Sequence, residues 1–254
     1  DGLNDTVIVL IPKSKDPQTL KDYRPISLCN VLYKLISKCL VNRMRPHLDG
    51  IISKTQSAFV PGRVITNNAS ITFECFHKIQ HSKQPHNTHC AYKLDLAKAY
   101  DRVDWEFLEG VLLKTGFSQK WTGWIMQCVR SVRYSVRCNG ELPEPFFPSC
   151  GLRQGDPLSP YLSLFIADGL VKLINLEISQ GNLTPLKIAR NSPGISNLLF
   201  ADDSLLFFKA TTEQAHTVKK KILSSFQRAT GQLLSESKCS ILFSEACPLN
   251  VRVD

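Results

Sequence analysis

Short apolar blocks and longer amphipathic stretches alternate along this chain. VIVLIPK (7–13) is an apolar run stopped by Pro12, which predicts a strand. KDYRPISL (21–28) carries a charged pair and is stiffened by Pro25, so it reads as a loop. From Val31 to Met44, apolar residues recur at Leu32, Leu35, Ile36, Cys39, Leu40 and Met44, and that spacing predicts a helix. QSAFVPGR (56–63) reads as a loop, followed by a helix from about Asn67 to Gln80 with Phe73, Phe76 and Ile79 inward. CAYKLDL (90–96) predicts a strand ending at Asp95, and Trp105–Lys114 and Gln119–Ser131 predict helices. YSVRCNGELPEPF (134–146) has the pattern of a hairpin turning at Asn139–Gly140. GLRQGDPLSP (151–160) is a Gly/Pro-rich turn that opens a long apolar helix running to about Ile178. PLKIA (185–189) reads as a strand, Thr212 to Thr230 as a helix and SILFS (240–244) as a closing strand. This irregular alternation, with no internal repeat or low-complexity linker, is α+β.

LLFADDSLLFF (198–208) breaks the pattern. Two apolar runs predict paired strands, yet Asp202 and Asp203 stand side by side in the short link between them. Two charges about 4 Å apart repel by about 4 kcal/mol at an effective dielectric of about 20. A purely structural turn is more cheaply made with Asn-Gly or Asp-Gly. One reading is a solvated turn whose acids face water; the other is a divalent ion, since hard cations take one or two carboxylates with water and phosphate oxygens. The second needs another acid, which Asp95 supplies at a strand end, and a phosphate site. The glycine-flanked Arg153 and Gln154, just ahead of a helix, fit that need.

Charge agrees with a polyanionic partner: 31 Lys and Arg stand against 22 Asp and Glu, a formal +9 over 254 residues. No apolar run is long enough to cross a membrane. The chain opens at Asp1 with no signal-peptide pattern and enters strand-like sequence at once, so it reads as a piece of a longer chain or a truncated copy. Nine cysteines without a CxxC predict reduced thiols in an intracellular protein. His77, His81, His86, His89 and Cys90 invite thought of zinc, but their spacing fits no standard module and the stretch reads as a polar surface loop.

Six segments carry a resemblance: LIPKSKDPQTLKDYRPISLCNVLYKLISKCLVNRM, QSAFVPGR, YKLDLAKAYDRVDW, GLRQGDPLSPYL, LLFADDSLLF and TGQLLSESKCSILFS. In this order and spacing the chain resembles the reverse transcriptase domain of non-LTR (LINE-type) retrotransposons, most closely those of plants. Group II intron maturases share part of the wording. The resemblance implies an α+β right-hand polymerase fold, fingers plus palm, with the thumb lacking. By that resemblance the fingers take 1–89, the first part of the palm 90–129, a fingers/palm hairpin 130–150 and the second part of the palm 151–254, through motif D.

The resemblance also implies roles. Asp95, Asp202 and Asp203 become the acids for two Mg²⁺ ions, with Mn²⁺ able to substitute, and Leu96 lends a backbone carbonyl. Phe200 stands where many relatives have Tyr. Tyr100 matches the gate that selects deoxynucleotides, and Gln154, with Arg153 beside it, lies near the incoming nucleotide and template. Arg63 matches a finger residue gripping the triphosphate, its planar fork suiting phosphate. Lys13 and Arg24 are weaker candidates for nucleotide or template contacts. Lys238 matches a lysine that protonates the leaving pyrophosphate, although Cys239 and the LLSES wording depart from the family pattern. The implied partners are an RNA template, a DNA primer and dNTPs; the implied location is nucleus or cytoplasm. The implied function is RNA-directed DNA polymerisation. Its alternatives are a truncated, inactive fragment that binds nucleic acid, and a maturase-like RNA-binding protein.

Overall fold

A computed structural model describes residues 2–83, 88–201 and 203–253. In chain order its elements are β1 (Asp5–Pro12), β2 (Tyr23–Cys29), α1 (Val31–Met44), α2 (Leu48–Ile51), α3 (Ile65–Gln80), β3 (His89–Leu94), α4 (Trp105–Lys114) and α5 (Gln119–Arg130). Then follow β4 (Arg133–Val136), α6 (Ser159–Ser179), β5 (Asn197–Phe200), β6 (Asp203–Lys209), α7 (Thr212–His216), α8 (Ser224–Thr230), β7 (Ser240–Phe243) and α9 (Leu249–Val253). A π-helical stretch, Thr217–Leu223, joins α7 to α8, so the helix expected over 212–230 is present with an irregular middle.

The chain divides into two compact units. The first comprises 1–47 and 100–163, the second 48–99 and 164–254. The QSAFVPGR segment and α3 group with β3, β5 and β6 in the second unit.

The first unit is built on a sheet of order β2-β1-β4, antiparallel between β2 and β1 and parallel between β1 and β4. Residues expected to form a loop at 21–28 are here a strand. Pro25 is tolerated because β2 is the sheet's edge, where a missing N–H breaks no inner ladder. Helix α1 has the expected bounds, but its buried face is Tyr33, Ser37, Leu40, Val41 and Met44, while Leu32, Leu35 and Ile36 are exposed. The expected hairpin turns at Asn139 and Gly140, both at positive φ as a tight Asn-Gly turn requires, with Cys138 and Glu141 bonded across it.

The second unit is built on an antiparallel sheet of order β5-β6-β3-β7. Helix α3 covers it, with Cys75 and Ile79 packed on Ala91, Leu198 and Phe207. Phe76 joins this core, but Phe73, expected inward, is 74% exposed. No strand forms at 185–189. Only Leu186 pairs there, with Ile195, because Pro185 has no N–H and Ala189 to Ser192 turn back.

Candidate active site

In the second unit the apolar run of β3 ends at Leu94, and its pairing with β6 ends with Leu94 opposite Ser204. One step further along that register, Asp95 lies level with Asp203. Residues opposite one another on antiparallel strands share a face. Across the hairpin, Phe200 pairs with Asp203, so two residues separate the strand ends. The first, Ala201, has φ +61°, a left-handed backbone unusual for a residue with a Cβ. Asp202, the second, lies outside the described residues.

Each described acid faces a lysine. Lys238 Nζ is 3.7 Å from Asp95 Oδ1, and Lys93 Nζ is 4.0 Å from Asp203 Oδ1. Asp203 is more than half exposed and Asp95 is part-buried, so water screens both pairs. On its other side the Asp95 segment is held by residues 233–235: Ser235 N–H donates to Asp95 O at 2.8 Å and Ala97 N–H to Leu233 O at 2.8 Å. Leu96 is the non-hydrogen-bonded residue between them, opposite Leu234, and its carbonyl is turned away from that partner.

Arg63 also lies in this unit, with its side chain 11% exposed. Its guanidinium donates to the carbonyls of Ser53 (2.6 Å), Gln56 (2.8 Å), Ile52 (2.8 Å) and Asp49 (3.2 Å), and to Asp49 Oδ1. Expected to grip a triphosphate, it is here occupied by its own segment.

In the first unit, Leu152 N–H donates to Tyr100 O at 2.7 Å and Gly151 N–H to Val103 O at 2.8 Å, so the strip from Tyr100 is backbone-paired with the GLRQG loop. Gly151 has φ +95°, and a Cβ there would sit 2.7 Å from Asp101 O, so glycine is required. Gln154 Nε2 lies 3.4 Å from Asp101 Oδ1, and Gln154 O accepts from Ser27 N–H on the open edge of β2. Tyr100 and Gln154 thus lie on segments joined to one another by backbone bonds and by the Gln154–Asp101 side-chain contact.

Arg153 does not join them at the surface. It is 4% exposed, stacked 3.9 Å from the Tyr33 ring centroid and paired at 3.1 Å with Asp156, which is also buried. It donates to Cys128 O at 2.8 Å and to Asn4 Oδ1. Tyr33 Oη donates to Asp156 Oδ2 at 2.6 Å, and burial pushes the Tyr33 hydroxyl pKa well above the usual tyrosine range. This network is a buried anchor beneath the loop, and Arg153, expected near the incoming nucleotide, is engaged in it. Of the weaker candidates, Lys13 Nζ donates to Lys21 O, and Arg24 is exposed on β2.

His77 and His81 stack on one another with ring centroids 4.1 Å apart, and His86 lies outside the described residues. Among the described residues no group of three or more His, Cys, Asp or Glu forms a metal cluster, and no helix is long and apolar enough to cross a membrane.

Solved structures share this fold. Telomerase from Candida tropicalis, in complex with a TWJ fragment of telomeric RNA, matches with a TM-score of 0.63 at 13% identity, covering 96% of this chain and 41% of that one. The apo form truncated from its C-terminal domain gives 0.61 at 14% identity, covering 96% and 51%. At such identity the likeness is one of fold alone.

The sequence makes the assignment specific: residues 11–249 match Reverse transcriptase (RNA-dependent DNA polymerase), and the chain belongs to that family. It is 30% identical over 200 residues to the Transposon TX1 uncharacterized 149 kDa protein of Xenopus laevis, covering 79% of this chain and 15% of that protein. It is 27% identical over 232 residues to the Pol polyprotein of the type-2 retrotransposable element R2DM of Drosophila melanogaster, covering 91% and 20%. A 57-residue stretch, 22% of this chain, is 51% identical to an uncharacterized mitochondrial protein of Arabidopsis thaliana, 47% of whose length it covers. The chain therefore spans a fifth or less of the two retrotransposon relatives. It is a reverse transcriptase domain of the non-LTR retrotransposon kind. The family acts on nucleic acid templates and uses divalent metal ions.

Sequence reading missed two groups that the structure makes prominent. One is the Tyr33–Arg153–Asp156 network. The other is Gln56, whose side chain reaches the backbone of Ala201. Gln56 opens the QSAFVPGR segment, so its presence in a recognised motif was the available signal.

Proposed function

We propose that this domain adds deoxynucleotides to a primer 3′-OH on an RNA template, with two Mg²⁺ ions at the end of β3 and the β5–β6 hairpin. The observation that carries the reading is the β3–β6 register, which ends at Leu94 and Ser204 and leaves Asp95 level with Asp203. Part-exposed carboxylates at strand ends suit a hard cation that keeps water and phosphate oxygens among its ligands. Asp95, Asp202 and Asp203, with the Leu96 carbonyl, would hold the ions, with Mn²⁺ able to substitute. When bound, such ions would lower the pKa of the primer hydroxyl and offset charge on the transferring phosphate.

The remaining roles belong to the chain's own groups. Lys238, beside Asp95, holds a proton at Nζ for the leaving pyrophosphate. Tyr100 fills the space a ribose 2′-OH requires. Phe200 packs at the hairpin without a hydroxyl. Gln154, steadied by Asp101, meets the nucleotide and template. Arg153 supports that loop from the core, and Arg63 supports the segment carrying Gln56. The sheet β2-β1-β4 belongs to the fingers and β5-β6-β3-β7 to the palm. The Arabidopsis match supports a plant element as the source.

The test is primer extension on poly(rA)/oligo(dT) with Mg²⁺ and dTTP at low salt, where phosphate contacts are strongest. Extension that vanishes in Asp202→Asn is the expected result. Primer–template binding with no extension by the unmodified chain would refute the polymerase reading for this domain.

A further inference from the structure

We propose that Gln56 is a positioning residue for the acid pair: its carboxamide holds Ala201 in the left-handed conformation from which Asp202 and Asp203 follow. The inference rests on the reading of that pair as metal ligands. Ala201, at φ +61°, adopts a backbone that glycine tolerates and alanine resists. In a two-residue hairpin loop the first N–H has no partner in the strand ladder. Here it has one. Ala201 N–H donates to Gln56 Oε1 at 3.2 Å, and Gln56 Nε2 donates to Ala201 O at 3.3 Å. Ala58 N–H also donates to Oε1, at 3.0 Å, and two donors at one atom fix which end of the amide is oxygen.

The clamp continues a strand ladder. Leu199 N–H donates to Thr55 O at 3.0 Å and Ser57 N–H to Leu199 O at 3.3 Å, so residues 55–57 run parallel beside β5. The Gln56 amide carries that pairing past the end of β5 and supplies both a donor and an acceptor. Its base is fixed from behind. Arg63 Nη1 donates to Gln56 O at 2.8 Å, and Asn68 Nδ2 donates to Thr55 O at 2.8 Å and Leu199 O at 3.0 Å. Gln56 is 1% exposed, so water does not compete for these bonds. Asparagine is one methylene too short to copy the reach, and methionine lacks both polar groups.

Amide exchange of the unmodified chain is the first test. Ala201 N–H should be protected roughly tenfold or more relative to an open turn, and an unprotected amide would overturn the clamp, even if every variant fails to fold. The variant Gln56→Met keeps volume and removes the amide. With folding checked by circular dichroism, exchange across 198–208 should quicken. Mn²⁺ affinity, read by electron paramagnetic resonance, should fall about tenfold while primer–template affinity holds. Adding Ala201→Gly, which accepts the backbone without a clamp, should restore much of the lost Mn²⁺ affinity. Unchanged exchange and unchanged Mn²⁺ affinity in folded Gln56→Met would overturn the proposal. Unchanged Mn²⁺ affinity in Asp202→Asn would instead overturn the metal reading of the pair, and with it the purpose given to the clamp; Ala201 exchange reads the clamp separately.

Discussion

Replacing Arg63 by Ala separates two roles that one guanidinium can have. A triphosphate grip acts on substrate; a clamp acts on stability. The side chain donates to four carbonyls, those of Asp49, Ile52, Ser53 and Gln56, at 2.6–3.2 Å. A hydrogen bond from a charged group contributes about 1.5–3 kcal/mol net, but four bonds from one group do not add. The carbonyls also regain water once the side chain is gone, and Asp49 is too exposed for its ion pair to add much. A loss of about 2–4 kcal/mol follows, which at roughly 3 °C per kcal/mol lowers the melting temperature by about 6–12 °C. Arg63→Lys should fall between, because a point charge cannot span four oxygens. The assay is a thermal melt by circular dichroism, paired with KM for dTTP measured well below both midpoints. The clamp predicts a lower melt and little change in KM. An Arg63→Ala variant that melts with the parent while KM rises tenfold would refute the reasoning and return Arg63 to the nucleotide.

Three further outcomes test the same structure. Gly151→Ala forces a Cβ to 2.7 Å from Asp101 O at φ +95°, so it should destabilise by about 2–4 kcal/mol in a chemical-denaturation curve; a loss under about 0.5 kcal/mol would contradict that packing. Tyr33→Phe removes the bond to buried Asp156 and should cost about 1–3 kcal/mol with KM for dTTP unchanged; an unaltered melt would mean the hydroxyl is not bonded. In timed iodoacetamide labelling near pH 8, exposed Cys39, Cys138 and Cys150 should react first. Burial pushes the Cys75 thiol up to about 11 and Cys90 up to about 12, so those two should label only on unfolding. Rapid labelling of Cys90 in the folded chain would contradict its place in the sheet.

What the sequence made legible was local. The spacing from Val31 to Met44 set the bounds of α1, and Asn139–Gly140 marked a turn because few residues accept positive φ. The hairpin around the acid pair was legible because two apolar runs flank a short polar link. What stayed hidden depended on partners distant in sequence. Helical spacing says that Leu32, Leu35 and Ile36 share a face, not that Tyr33 and Ser37 will be the ones buried. Pro25 argued against a strand until β2 proved to be an edge.

Arg63, Arg153 and Gln56 show why a polar motif residue is hard to assign from wording alone. A planar, multivalent donor suits a phosphate, and it equally suits a row of backbone carbonyls or a buried carboxylate. Arg63 meets the carbonyls and Arg153 the carboxylate of Asp156. Gln56 has both donor and acceptor, so a backbone N–H and C=O can satisfy it as fully as a ligand, and Ala201 supplies both from 145 positions away. Residue type and spacing are the same in either case. The distinction appears only when the fold shows which donors are already engaged: those of Arg63 and Arg153 are held by backbone and carboxylate, while among the described residues the carboxylates of Asp95 and Asp203 each meet a solvent-screened lysine. Among the described residues the carboxylates at the ends of β3 and the hairpin are therefore less engaged by the fold than the two arginines, which is why the proposed chemistry is assigned to the acids and tested there.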